Sequence, residues 1–191
     1  MKFRFTYSLA SEYRVVQETL ADLKAITEEG YDYWLPEGIS PQSSPADIRK
    51  AISSEFDTSA TRSIRVGLRE FIKNSDLHLE QFWTKYSTAA PLIHVTLTRY
   101  GVGGYYETPN QIVINQHSTW DSLESVIVHE LVHLCIEEPI VNPLKLDDSA
   151  KEGLVDYLIH NDPILQSLIP RYRQQPGMTP PTSELLNQLP V

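Results

Sequence analysis

The stretch SVIVHELVHLCIEE, residues 125–138, sets His129 and His133 four apart with Glu130 directly after the first. Side chains four apart on a helix lie on one side, a turn apart. Two imidazole nitrogens at that spacing can point at one cation. Zinc takes neutral nitrogen ligands at roughly 2.0–2.1 Å in tetrahedral geometry, which suits such a pair. Glu130 is rotated about 100° from His129 and stands beside the ion rather than on it. From there its carboxylate can take a proton from a water on the ion, the work of a general base. The same letters could also spell an apolar helix whose histidines satisfy local hydrogen bonds. Val126, Ile127, Val128, Leu131, Val132 and Leu134 make the helix apolar on nearly all sides, so it is expected to be buried. Two imidazoles and a carboxylate buried without partners would cost on the order of several kcal/mol. A bound ion with its water removes that objection.

Two histidines need a third protein ligand. Glu152, in KEGLVDY, lies nineteen residues after His133 at the start of a second expected helix, and Asp156 follows one turn later. Glu152 can bind the ion while Asp156 orients a ligating histidine from behind, fixing its tautomer. A solvated helix face is the plain alternative for this pair. Leu154, Val155, Leu158 and Ile159 leave that helix little other polar surface.

With these residues in view, His129-Glu130-Leu131-Val132-His133 followed by Glu152-Gly153-Leu154-Val155-Asp156 resembles the gluzincin clan of zinc metallopeptidases. The pattern is H-E-x-x-H on one helix and E-x-x-x-D on a later one. Glu-Gly before an apolar residue is similar to the clan's aminopeptidase-like members, and the short spacer is similar to its compact, minimal forms. The resemblance covers residues 92–160. It implies an α+β, zincin-like fold: a small mixed sheet, an active-site helix and a glutamate helix. It implies one zinc ion held by His129, His133 and Glu152, with Glu130 as general base and acid and Asp156 behind the ligands. It also implies an antiparallel edge strand that pairs with a peptide or protein substrate. GVGGYYE, with Gly103, Gly104, Tyr105 and Tyr106, sits where that rim should be, although an ordinary hairpin would read the same. The clan's oxyanion-stabilising Tyr or His is fixed by no local motif. Tyr172 and His160 are the foremost candidates, and Tyr157, Tyr105 and Tyr106 remain open.

The elements that must position these groups follow from periodicity. FRFTYSL (3–9) and LIHVTLTRY (92–100) alternate as strands, and QIVIN (111–115) is a short strand after a turn at 108–110. Residues 11–30 repeat Val15, Val16, Leu20, Leu23 and Ile26 at helical spacing, with Gly30 as a stop. Residues 31–45 are rich in Pro, Gly and Ser and are expected to form a loop. A helix should start after Ser44 with Pro45 in its first turn, a third should be capped by Thr58 or Ser59, and LHLEQFWTKYS should form another. For the histidine helix, Ser118 and Asp121 resemble a capping box, and Pro139 and Pro143 should end it. Asp148 or Ser149 should open the glutamate helix, which should stop near Pro163. The expected division is a mostly helical region at 1–90 packed on the same domain, a catalytic core at 91–173, and a proline-rich tail at 174–191. The tail is expected to run free on the surface with one short helical turn; occupation of the cleft is a weaker alternative. His94 is expected in the core, and His78 and His117 on the surface.

The chain has 191 residues with a net charge of -9. That balance argues against a nucleic-acid partner, and no apolar run is long enough for a membrane span. No signal-peptide core is legible, so the expected location is cytoplasmic, with non-classical secretion still open. Cys135 is the only cysteine, so no internal disulfide can form, and a buried structural thiol is its expected role. Three function classes compete: a zinc peptidase, a zincin-fold regulatory or toxin-related domain with little general proteolysis, and a metal-free structural module. The oligomeric state is left open.

Overall fold

LIHVTLT alternates β-branched or apolar residues with smaller polar ones, and it forms β2 (Leu92–Thr98) at the heart of a four-stranded sheet. The computed structural model describes residues 1–87, 91–119, 122–174 and 178–189. Before β2 come β1 (Lys2–Thr6) and the helices α1 (Leu9–Glu28), α2 (Pro45–Glu55) and α3 (Thr58–Tyr86). After it come β3 (Gly104–Glu107), β4 (Gln111–Asn115) and α4 (Leu123–Ile136). A π-helical turn (Glu137–Val141) leads into α5 (Asn142–Leu144), then α6 (Asp148–Asn161), α7 (Pro163–Leu168) and α8 (Ser183–Leu186). The class is α+β. Among the described residues no helix is long and apolar enough to cross a membrane.

The strand order is β1-β2-β4-β3. β1 and β4 flank β2 in parallel, with Phe5 opposite Val95 and Val95 opposite Ile112. β3 runs antiparallel to β4, with Tyr105 opposite Val113, and forms an edge of the sheet. Side chains alternate across a strand. Ile93, Val95, Leu97, Ile112 and Ile114 therefore join one core with α3, α4 and α6. Val113 points the other way into a smaller cluster with Val15, Val16, Ile48 and Ile52 of α1 and α2. The sheet thus carries α1 and α2 on one face and α3, α4 and α6 on the other. Each fully buried Leu, Ile or Val contributes roughly 1.5–3 kcal/mol.

Several boundaries differ from expectation. Ser8 caps α1 through a capping box with Ser11, so the helix starts two residues before Ser11. Asp57 caps α3, ahead of Thr58 and Ser59, and the two helices expected there are one of 29 residues. Its buried stripe through Leu68, Ile72, Leu79 and Phe82 never loses helical phase, so nothing breaks it. Ser122, not Ser118, caps α4 by accepting from the Ser125 N–H; Asp121 lies outside the described residues. Pro139 does not stop the chain's helical course: it sits within the π turn, and Pro143 falls in the first turn of α5, where no amide donor is needed. Asp147, not Asp148 or Ser149, caps α6. β1 ends at Thr6 and β2 at Thr98, because Ser8 already caps α1 and Thr98 turns into a bend.

The described part of the C-terminal segment, residues 178–189, is not a free surface tail. Leu185 of α8 is buried in the main core, and the Thr179 N–H donates to the Ser149 carbonyl of α6 at 3.3 Å. A Cβ on Gly153 would collide with the Thr179 carbonyl, so only glycine lets that backbone lie against α6. His94 is half-buried rather than core, because the pleat turns it away from the side that Ile93 and Val95 share.

Candidate metal centre

Every residue of α4 from Ser125 to Ile136 is buried. Its apolar neighbours anchor the helix strongly enough to carry two imidazoles and a carboxylate inward. His129 is 2% exposed, His133 1% and Glu130 6%. α6 packs on α4 and brings Glu152 to the same point. His129 Nε2 and His133 Nε2 lie 3.0 Å apart. The Glu152 carboxylate is 3.2 Å from each of them. A tetrahedral ion with bonds of roughly 2.0–2.1 Å separates its donors by roughly 3.3 Å. The three donors are therefore already gathered to the size of such a site, and His129, His133 and Glu152 can hold a metal ion. Neutral imidazole and carboxylate are also the donor types that zinc accepts.

Behind the donors stands an orienting chain. The Tyr172 hydroxyl donates to Asp156 Oδ1 and lies 2.7 Å from His129 Nδ1. With its own proton spent on Asp156, that hydroxyl accepts from Nδ1–H. His129 thereby keeps its proton on Nδ1 and turns Nε2 toward Glu152. Asp156, read from sequence as the group behind a ligating histidine, acts on His129 through this tyrosine. Tyr172 itself, a foremost candidate for stabilising an oxyanion, faces the back of His129 instead of the cleft. His160 is likewise displaced: its Nδ1 lies 2.9 Å from the Asp156 carbonyl and its ring meets Tyr172 edge-on. Both line a small separate recess on that far side. Tyr157 does not line the cleft either.

The charges are tightly coupled. Burial alone would lower the basicity of His129, but the carboxylates of Glu152, Glu130 and Asp156 outweigh it and hold His129 above its ordinary range. Burial pushes His133 down to about 4, with His129 adding to the fall. Burial also opposes ionisation of Glu152, yet hydrogen bonds from both histidines hold it well below the usual carboxylate range. The three carboxylates around His129 give the cluster the negative potential that a cation needs. Burial pushes Glu130 up to about 7.

A cleft of about 620 Å³ opens over the donors. One side is α4 with Val126, His129, Glu130 and His133; the opposite side is the C-terminal half of α1 with Tyr31 beyond it. The edge strand β3 runs between them. Gly103, Gly104, Tyr105 and Tyr106 all line it. A Cβ on Gly104 would lie 2.5 Å from Val126 Cγ1 and 3.2 Å from Glu130 Oε1, so glycine is what lets this strand approach α4. The two tyrosines take opposite faces. Tyr106 stacks on the His133 ring at 4.7 Å and donates to Glu137 at 2.8 Å, while Tyr105 donates to Glu18 of α1 at 2.8 Å. The α1 wall went unread in the sequence. Glu18, Asp22 and Glu29 look there like an ordinary solvated helix face, and only the parallel pairing of β1 with β2 turns them toward the histidines. Cys135 is buried, and burial pushes its thiol up, as suits an inert structural group. The chain matches no protein-family model, no curated protein and no solved structure.

Proposed function

We propose that this protein is a zinc-dependent metallopeptidase built on a zincin-like scaffold of the compact gluzincin type. The observation that carries the reading is the convergence of His129 Nε2, His133 Nε2 and the Glu152 carboxylate within 3.0–3.2 Å, with Glu130 beside them on the floor of a cleft. Zinc, if held by these three, would supply a Lewis acid able to polarise a carbonyl and to make a water molecule more acidic.

The remaining chemistry belongs to the chain. Tyr172 and Asp156 hold His129 in the tautomer that offers Nε2. Tyr106 packs flat on His133 and keeps its ring from turning. Glu130 finds no hydrogen-bond partner among the described residues, so its carboxylate is available to accept a proton from the attacking water and return it to the leaving amine. The outer edge of β3 offers backbone groups to an extended peptide, which would lie as a further strand across the metal centre. The short glycine-lined approach brings that peptide close to Glu130.

Elemental analysis of the untreated protein, beside digestion of a broad peptide library, tests the reading. One zinc per chain is expected, with cleavage that a chelator abolishes. Glu130→Gln should keep the metal and lose about 10²–10⁴-fold in rate. A Glu130→Gln variant that cleaves as fast as the parent would refute the mechanism.

A further inference from the structure

The α1 wall carries a charge pattern that the donors on α4 and α6 do not require. Glu18, Asp22 and Glu29 recur along one side of α1 and line the cleft, and Glu107 joins them from the end of β3. Among the described residues no Lys or Arg lines it. Arg14 is shared between Glu107 at 2.9 Å and Glu18 at 3.6 Å, one cation for two carboxylates. Asp22 and Glu29 have no ion-pair partner among the described residues. Lys151, the other nearby cation, is engaged by Asp148 at 3.1 Å and lies 5.6 Å from the Tyr106 ring centre. α1 ends at Glu28, just before Glu29, with no basic residue in its last turn, so its partial negative dipole end stands uncompensated on the wall. A second observation is independent of these surface acids. Glu130 is 6% exposed, has no hydrogen-bond partner among the described residues, and faces the same cavity. Beside the acids, Tyr31 lines the cleft while 48% exposed, a ring face open to a cation.

We infer that the cleft selects peptides bearing a cationic group, an ammonium or guanidinium that lies against Asp22, Glu29 and Tyr31 of the α1 wall while the backbone runs along β3. The inference rests on the peptidase reading for its substrate class, but binding alone can decide it. An acidic wall concentrates cations and weakens as salt rises. An aromatic face adds to the attraction where water is partly excluded.

The test uses dye-labelled peptide twins that differ only in Lys against norleucine, each with a free or an acetylated N-terminus. They are titrated by fluorescence anisotropy into Glu130→Gln protein and, in parallel, into the parent. The cationic twin should bind about three- to tenfold tighter at low salt, as two partly screened pairs allow. The difference should vanish near 1 M salt, where the screening length is about 3 Å. In an Asp22→Asn, Glu29→Gln double variant the ratio should fall toward one. The acetylated and free-amine arms assign the cation to a side chain or to the chain terminus. Equal affinity for both twins, or a preference that the double variant leaves intact, overturns the inference. Cleavage is scored separately. Selective binding without cleavage removes the peptidase reading and leaves this inference standing; equal binding with cleavage does the reverse.

Discussion

On the α4 side of the cleft, His129 is held from behind by Tyr172 and Asp156, and Glu152 is drawn in by two imidazoles. On the α1 side, Asp22 and Glu29 project from an exposed helix face with no ion-pair partner among the described residues. The first wall fixes geometry, since a buried polar group that loses its partner costs roughly 1–3 kcal/mol. The second wall supplies only a field, since each exposed charge is worth a fraction of that. One cleft thus joins a side that tolerates almost no substitution to a side that tolerates many. Selectivity could change on the second without disturbing the first.

Three substitutions sharpen the contrast. His133→Ala removes a donor that no neighbour replaces, and elemental analysis should find metal at background; a full equivalent retained would mean the ion sits elsewhere. Tyr172→Phe keeps the ring but removes the hydroxyl between Asp156 and His129. Competition with a chromogenic chelator should report metal affinity about 10–100-fold weaker. Unchanged affinity would show that His129 orients itself without help. Asp22→Asn should leave metal content untouched and shift the unfolding free energy in urea by no more than about 0.5 kcal/mol. A larger loss would make the α1 wall a structural element and dissolve the comparison.

The gathering of His129, His133 and Glu152 was legible because it rests on local periodicity. The i, i+4 spacing places two imidazoles together, and the apolar residues around them require the helix to be buried. The small mixed sheet was legible from alternation in 92–100 and 111–115. The caps were misread by a few residues because Ser, Thr and Asp crowd each boundary and only geometry selects among them. The side of the site that Tyr172 and His160 take was not legible: Tyr172 comes behind His129 only because α7 turns the chain back along α6, and His160 faces that same side, which no local pattern encodes. The tail was misread because its prolines suggested solvent, while the signal to the contrary was Gly153. A glycine inside a helix costs about 1 kcal/mol against alanine, and here the close passage of Thr179 accounts for it. The α1 wall left no trace at all, since a carboxylate facing a cleft and one facing open water are spelled alike.

The contact between Thr179 and Gly153 has a bearing on biosynthesis. Translation runs from the N-terminus, so the residues of α4 and α6 are joined to the chain before residues 178–189 are made. Until they are, Gly153 has no Thr179 backbone against it and Leu185 is missing from the core. A chain that stopped before residue 178 would carry Glu152 on a helix stripped of the strap that lies against it.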